Sequence, residues 1–293
     1  MPGTVIRSSA IKRGMSFTLK LQVDDGGKAT TVETLTLEAP RLLVGMTTEP
    51  AKTNQLVKDF PGLQVMREFG KDGPDEDKLP ELPAMNCTKF VAAPDAIQHV
   101  SWKDDVEQLP SWLDSLARPI YLTWYHEPMG DVTPSTYRLT AARVTQIVNS
   151  HKNGHLVRGH GPIVTRYWLD EGKGNPADWA YPGMTHIGVD AYQNEANATS
   201  YWGPDKMFGI SFAKIRAAFP GIRLWVPEYG IRQIASDKTG AGRAQAMRDH
   251  VNWLAQQDDV DYIAYWNNWT EFSFTADSPE ADAYREILAA FAG

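Results

Sequence analysis

RPIYLTWYHEPMGDVTPSTYRLTAARVTQIVNSHKNG, residues 118–154, holds a complete strand-to-helix unit. Its first ten residues form a nearly continuous apolar and aromatic run ending on His126-Glu127. Such a run suits a strand covered on both faces, the kind found in parallel sheets. Pro128-Met129-Gly130 is a short, turn-like connection. Thr133 then offers an N-cap hydroxyl and Pro134 a first-turn proline, and Ala141, Val144, Ile147 and Val148 give the following helix one apolar face up to Asn153-Gly154.

The same alternation extends in both directions. Upstream, RLLVGM (41–46) and LQVMREF (63–69) flank a helical stretch at 54–60 that closes on Pro61-Gly62, and a third β-run is expected at His99 to Trp102. Residues 70–98 are rich in Pro and Asp and read as a long loop. Downstream come GPIVTRYW (161–168), HIGVDAYQ (186–193), IRLWVPEYG (222–230) and DYIAYWNNW (261–269). Helices carrying Phe208, Phe212, Ile215 and Phe219, then Met247, Val251 and Leu254, then Tyr284, Ile287, Leu288 and Phe291 fall between and after the last of these runs. Eight β-runs alternating with helices imply an α/β chain with a parallel sheet. An open doubly wound sheet would place a glycine fingerprint after its first strand, and RLLVGMTTEP has none. The expected fold is a (β/α)8 TIM barrel over 40–293. Residues 1–39 are expected to form an N-terminal extension, because SFTLKLQVD, DGG and KATTVETLTLE read as a β-hairpin, a cap or assembly arm.

Composition narrows the function. With 42% hydrophobic and 22% charged residues, the chain of 293 residues is neither disordered nor fibrous. Its 29 Lys and Arg against 36 Asp and Glu leave a net charge of −7, which excludes a general nucleic-acid binder. Cys87 is the single cysteine, so no intrachain disulfide or cysteine-based zinc site is expected. His151, His155 and His160 have no carboxylate at ligand spacing, and no metal is expected. The N-terminal MPGTVIRSSAIKRG has no apolar run of signal-peptide length, and no segment reaches the roughly 18 apolar residues of a membrane span, so neither an export signal nor a membrane partner is expected. Aromatics make up 11% of the chain, with 10 Trp, 11 Tyr and 10 Phe, many of them beside Asn, Asp, Glu or His. Aromatic faces stack on pyranose rings while polar neighbours bind hydroxyls, so a carbohydrate cleft is indicated.

In a TIM barrel, chemistry gathers at the C-terminal ends of the strands. Those ends carry Arg67-Glu68, His126-Glu127, Tyr167-Trp168, Asp190 with Tyr192, Glu228-Tyr229 and Trp266-Asn267-Asn268. Glu127 and Glu228 fall on the fourth and seventh barrel strands, which face each other across the mouth. Glycoside hydrolysis needs such an opposed pair, one carboxyl to protonate the leaving oxygen and one to attack or to activate water.

TWYHEPMGD (123–131), IGVDAYQ (187–193) and RLWVPEYGI (223–231) resemble the strand motifs of clan A glycoside hydrolases. The closest likeness is to family 26, whose known members are mostly β-mannanases and which has His before the acid, as His126 stands here. The resemblance implies a retaining, cofactor-independent glycoside hydrolase acting on a β-linked polysaccharide or oligosaccharide. Carried over, Glu127 is the acid/base, Glu228 the nucleophile, and Tyr192 the hydroxyl that bonds the nucleophile. His126 binds a sugar hydroxyl and Trp266 floors the sugar, while Arg67 and Trp168 extend the substrate site. It further implies that Glu127 is the more desolvated carboxyl, among Trp124, Tyr125 and Met129. Competing readings make His126 a barrel-wall histidine, Trp266 core packing, and Arg67 the partner of Asp190 or Glu68 in a buried ion pair. The Pro128-Met129-Gly130 connection departs from family 26. HEPMGD also resembles hydrolase-like domains encoded by actinobacteria and their phages, so a non-catalytic carbohydrate-binding or virion-associated adhesin barrel is the rival function.

Overall fold

The computed structural model describes residues 16–25, 28–38, 42–47, 53–68, 96–102 and 106–291. They fall into two compact units that part at Leu42/Leu43. In the first, strands β1 (Ser16–Asp25) and β2 (Lys28–Glu38) pair antiparallel from Ser16↔Glu38 to Asp25↔Lys28, with a register shift between Val23 and Asp24.

The second unit is built on a parallel sheet. Its strands are β3 (Leu43–Thr47), β4 (Val65–Glu68), β5 (Ile97–Trp102), β6 (Ile120–Trp124), β7 (Val157–His160), β8 (Ile163–Thr165), β9 (His186–Gln193), β10 (Arg223–Ile231) and β11 (Val260–Trp266). Hydrogen-bonded neighbours run β7-β6-β5-β4-β3-β11-β10-β9-β8. The two edges of that order, β7 and β8, are consecutive pieces of chain, so the sheet curls into a TIM barrel whose fifth strand is split. GPIVTRYW was expected as one strand, but only Ile163–Thr165 of it is strand: Arg166 onward is helical, and Gly161-Pro162 separates this piece from an earlier one at Val157–His160 that the pattern did not show. Pro162 has no N–H for a ladder, and a side chain at Gly161 would collide with the His186 carbonyl. The break is bridged all the same: Thr123 Oγ1 donates to Gly161 O at 2.7 Å on one side, and Gly188 N donates to Pro162 O at 2.8 Å on the other.

Outside the strands lie α1 (Thr53–Asp59), α2 (Leu109–Asp114), α3 (Pro134–Ser150), α4 (Arg166–Asp170), α5 (Ile210–Ala218), α6 (Ala241–Ala255), α7 (Trp269–Phe272) and α8 (Pro279–Phe291). The cap expected at Thr133 is present, its Oγ1 accepting from Thr136 N at 3.2 Å. The segment expected as a long loop lies largely outside the described residues, as does Cys87. Among the described residues no helix is long and apolar enough to cross a membrane.

Alternate side chains of each strand serve two cores. Val65, Ile97, Tyr121, Ile163, Trp225, Tyr262 and Ala264 fill the barrel interior, where Trp225 stacks on His186 at 4.8 Å. Val100, Trp102 and Leu122 face outward and pack with Leu113, Val144 and Val148 of the α2–α3 layer. The outer core is apolar, whereas the barrel interior mixes these side chains with the buried His99 and His186.

Two buried histidines tie stability to pH. His160 contacts Thr145 and Tyr181, and His250 joins the Tyr229 hydroxyl at 2.6 Å to the Trp202 carbonyl at 2.7 Å. Burial pushes each imidazole down to about 4, against an ordinary value of about 6.5. The folded state therefore binds fewer protons than the unfolded chain. Stability is fully present above pH ~6.5 and is lost as pH falls toward ~4. The melting temperature should drop across that window, and His250→Gln, which keeps a donor for Trp202, should flatten part of the drop.

Candidate active site

Strand β10 carries the central carboxylate through a bulge. Trp225 points into the barrel interior against His99, His186 and Tyr262, and strict alternation would send residue 228 outward. Between Trp225↔Gly188 and Tyr229↔Ala191 the register gains one residue on β10. Pro227, which has no N–H, lies within this bulge, and its carbonyl accepts from Thr47 Oγ1 at 3.2 Å. The extra residue reverses the phase. Tyr229 then faces outward to Phe208 and His250, while Glu228 and Gly230 face the barrel axis.

Glu228 is 6% exposed. Arg67 Nη2 lies 3.2 Å from its Oε1, and the Tyr192 hydroxyl donates to its Oε2 at 2.7 Å. Arg67 thus pairs with Glu228, and the Glu68 side chain lies outside the described residues. Arg67 is fully buried on β4 and also reaches His99 Nε2 at 3.4 Å. A guanidinium only donates, so His99 accepts at Nε2 and its Nδ1–H faces the Tyr262 hydroxyl. Burial, then the Arg67 charge, holds His99 well below its usual range and therefore neutral.

Asp190 lies beside this pair, 2% exposed. Burial raises its carboxyl well above the usual carboxylate range, and repulsion from Glu228 adds to the rise; Arg67 opposes it and Glu127 contributes further. Burial and the neighbouring carboxylates likewise keep the Tyr192 hydroxyl protonated. Two fixed donors and one acid whose pKa is raised therefore surround Glu228. The sequence reading named Asp190 only as a rim residue and a partner for Arg67, and it did not single out His99. The available signal was Asp190 on the inward phase of HIGVDAYQ, two residues before Tyr192.

Glu127 lies past the end of β6, on a turn in which Tyr125 and Glu127 have φ of 59° and 47°. Left-handed backbone at non-glycine residues costs about 1–3 kcal/mol each and concentrates where a structure needs a particular side-chain aim. The turn is tied down by Glu127 N to Ile163 O at 3.1 Å and by the Tyr125 hydroxyl to Asp131 Oδ2 at 3.0 Å. The expectation that Glu127 is the more desolvated carboxyl is corrected: Glu127 is half-buried and Glu228 is buried. The reason is that Trp124 turns outward onto Tyr137 of α3, at 5.3 Å, instead of enclosing Glu127.

The remaining predicted residues divide. His126 is half-buried and near enough to His99 to help lower its pKa. Trp266 ends β11 only 8% exposed, its ring edge-on to Tyr192 at 6.5 Å. Trp168 is not at a strand end; it sits in α4, behind the Thr165 N-cap, with its ring against Gly174 and 6.1 Å from Trp179. His151, His155 and His160 point to separate partners, and among the described residues no group of three or more His, Cys, Asp or Glu is arranged to hold a metal ion.

Gly230 sets the position of Tyr192. A Cβ there would lie 2.7 Å from the Tyr192 ring and 2.9 Å from the Phe272 ring. Gly230→Ala should therefore push the Tyr192 hydroxyl off Glu228 and lower turnover as much as Tyr192→Phe or more. Either variant should lose less stability than a core truncation, and comparing turnover with melting temperature checks this.

No protein-family model matches the chain, and no curated protein matches it in sequence. Solved structures do match. Xylanase 10B from Thermotoga maritima is 10% identical with a TM-score of 0.54, over 85% of this chain and 95% of that one. A GH128 (subgroup III) curdlan-specific exo-β-1,3-glucanase from Blastomyces gilchristii is 12% identical with a TM-score of 0.51, over 83% and 97%. A GH128 (subgroup VII) oligosaccharide-binding protein from Trichoderma gamsii is 14% identical with a TM-score of 0.50, over 87% and 97%. At these identities the likeness is one of fold, an α/β barrel.

Proposed function

We propose that the protein is a retaining glycoside hydrolase that cleaves a β-linked polysaccharide by double displacement. The observation that carries this reading is the Glu228 carboxylate held between Arg67 at 3.2 Å and the Tyr192 hydroxyl at 2.7 Å, at the C-terminal mouth of the barrel. A cation and a hydrogen-bond donor both favour the ionised form, and a nucleophilic carboxylate must be ionised. Burial and the nearby carboxylates disfavour a second negative charge on Asp190 beside it.

In the first step Glu228 attacks the anomeric carbon as the glycosidic C–O bond breaks, and Glu127 gives its proton to the departing oxygen. In the second step Glu127, now a carboxylate, takes a proton from water, and the water oxygen displaces Glu228 from the sugar. Partial exposure suits Glu127 to this exchange, because it must meet both the leaving group and incoming water. His126 and Trp266 would hold the sugar at the cleavage point, and Trp168 would lie at the edge of the substrate site. The His126-Glu127 pair favours the family 26 branch, with β-mannan as one candidate substrate.

The test is a screen of β-mannan, β-1,3-glucan and β-xylan by reducing-end release, followed by NMR of the first-formed product. Cleavage giving the β-anomer first supports the reading. An α-anomer first would establish inversion instead, and tight glycan binding with no cleavage of any substrate would leave a carbohydrate-binding barrel in its place.

A further inference from the structure

We propose that a pocket beyond Glu228, bounded by Arg232, Gln233, Arg243, Glu271 and Ser273, is a distal subsite for a neutral pyranose unit of the substrate chain; the proposal rests on the glycoside hydrolase reading above. The pocket measures about 290 Å³, room for a sugar ring and its first water.

Its location follows from β10. Glu228, Gly230 and residue 232 share one phase of the strand, and Arg232 N continues the ladder by donating to Gln193 O at 2.9 Å. Gly230 contributes no side chain between them, and the space beside it holds the Tyr192 and Phe272 rings. Four residues of strand place Arg232 about 13 Å beyond Glu228, farther than one ring reaches. A chain cleaved at Glu228 would cross the pocket with a later unit.

The walls are built in advance. The Arg243 guanidinium is buried and fully engaged: it pairs with Glu280 at 2.6 Å and also donates to the carbonyls of Ile231, Glu271 and Ser273 at 3.4–3.5 Å. One cation therefore ties the end of β10 to the segment around α7, and none of its donors is left for a ligand. Arg232 differs, because its guanidinium has no side-chain partner among the described residues. Gln233 commits its amide nitrogen to Asp237 O at 2.5 Å, which leaves the amide oxygen as an acceptor.

The charges select the ligand class. Arg232 and Glu271 line the same pocket without forming an ion pair with each other. A uronate would gain Arg232 but confront Glu271. A neutral sugar satisfies both, because neighbouring hydroxyls accept from the guanidinium and donate to the carboxylate and to Gln233 Oε1.

Calorimetry on full-length Glu228→Gln with laminari- and manno-oligosaccharides, lengthened one unit at a time, tests the proposal. Affinity should rise about tenfold at the unit that reaches the pocket, and adding Arg232→Ala or Glu271→Gln should each remove that step. A step that persists in both variants overturns the subsite and leaves the glycosidase reading standing. A step seen only with uronate oligosaccharides overturns the neutral-sugar assignment. Failure to bind at any length, with no hydrolysis by the wild type, brings down both.

Discussion

Glu228→Gln is expected to lower β-glycan hydrolysis by roughly 10⁴-fold or more, about 5 kcal/mol of barrier, while oligosaccharide binding persists. Gln keeps the size of Glu and an oxygen for the Tyr192 hydroxyl, but it cannot form the covalent glycosyl intermediate. Glu127→Gln should behave differently. Natural sugars leave poorly without protonation, so their turnover should fall by about 10²–10⁴-fold. An activated aryl glycoside needs no proton on its leaving oxygen, so its first step should survive. Water attack, which has lost its base, then limits the rate. Stopped-flow assays should therefore show a burst of released phenol in Glu127→Gln and none in Glu228→Gln. The two roles would be wrong if both variants lost activity equally on natural and aryl substrates, or if neither lost any.

The barrel was legible because parallel strands covered on both faces must be apolar throughout. RPIYLTWYHE, HIGVDAYQ and DYIAYWNNW announce themselves by composition alone, and the helices between them by their 3.6-residue period. The short fifth strand was read too long because Ile163 and Val164 with Tyr167 and Trp168 resemble one continuous run; only the Thr165 cap marks where the helix takes over. At the site, the two glutamates and Tyr192 were visible as polar residues closing apolar runs. The aim of Glu228 was not visible in that way. Alternation counted from Trp225 turns it outward, and the bulge at Pro227 turns it in; a proline inside a central strand was the available sign. The choice of Glu228 as the partner of Arg67, and the His99 contact beneath it, depend on which strands meet across the barrel, which no local pattern encodes.

Arg67→Met should produce the largest combined loss of stability and activity. The substitution keeps an apolar stem of similar length but removes the buried cation facing Glu228 and leaves His99 Nε2 without its donor. Leaving one member of a buried pair uncompensated costs about 3–5 kcal/mol. The carboxyl can relieve part of this by taking up a proton, since loss of the cation favours its neutral form. Its folded-state pKa then rises above the unfolded value, so stability is retained at low pH and lost as pH rises through the new pKa. The deficit relative to wild type should therefore be larger at pH 8 than at pH 4, and the acid limb of the pH–rate profile should move to higher pH. Arg67→Lys should recover much of the stability but less of the turnover, because one ammonium cannot reproduce the planar fork that spans Glu228 and His99. A double-mutant cycle isolates the pair: with Gln at 228, Arg67→Met should cost far less than it does beside the charged carboxylate. Equal costs in both backgrounds, with no displacement of the acid limb, would reduce Arg67 to packing and leave Tyr192 as the chief support of the nucleophile.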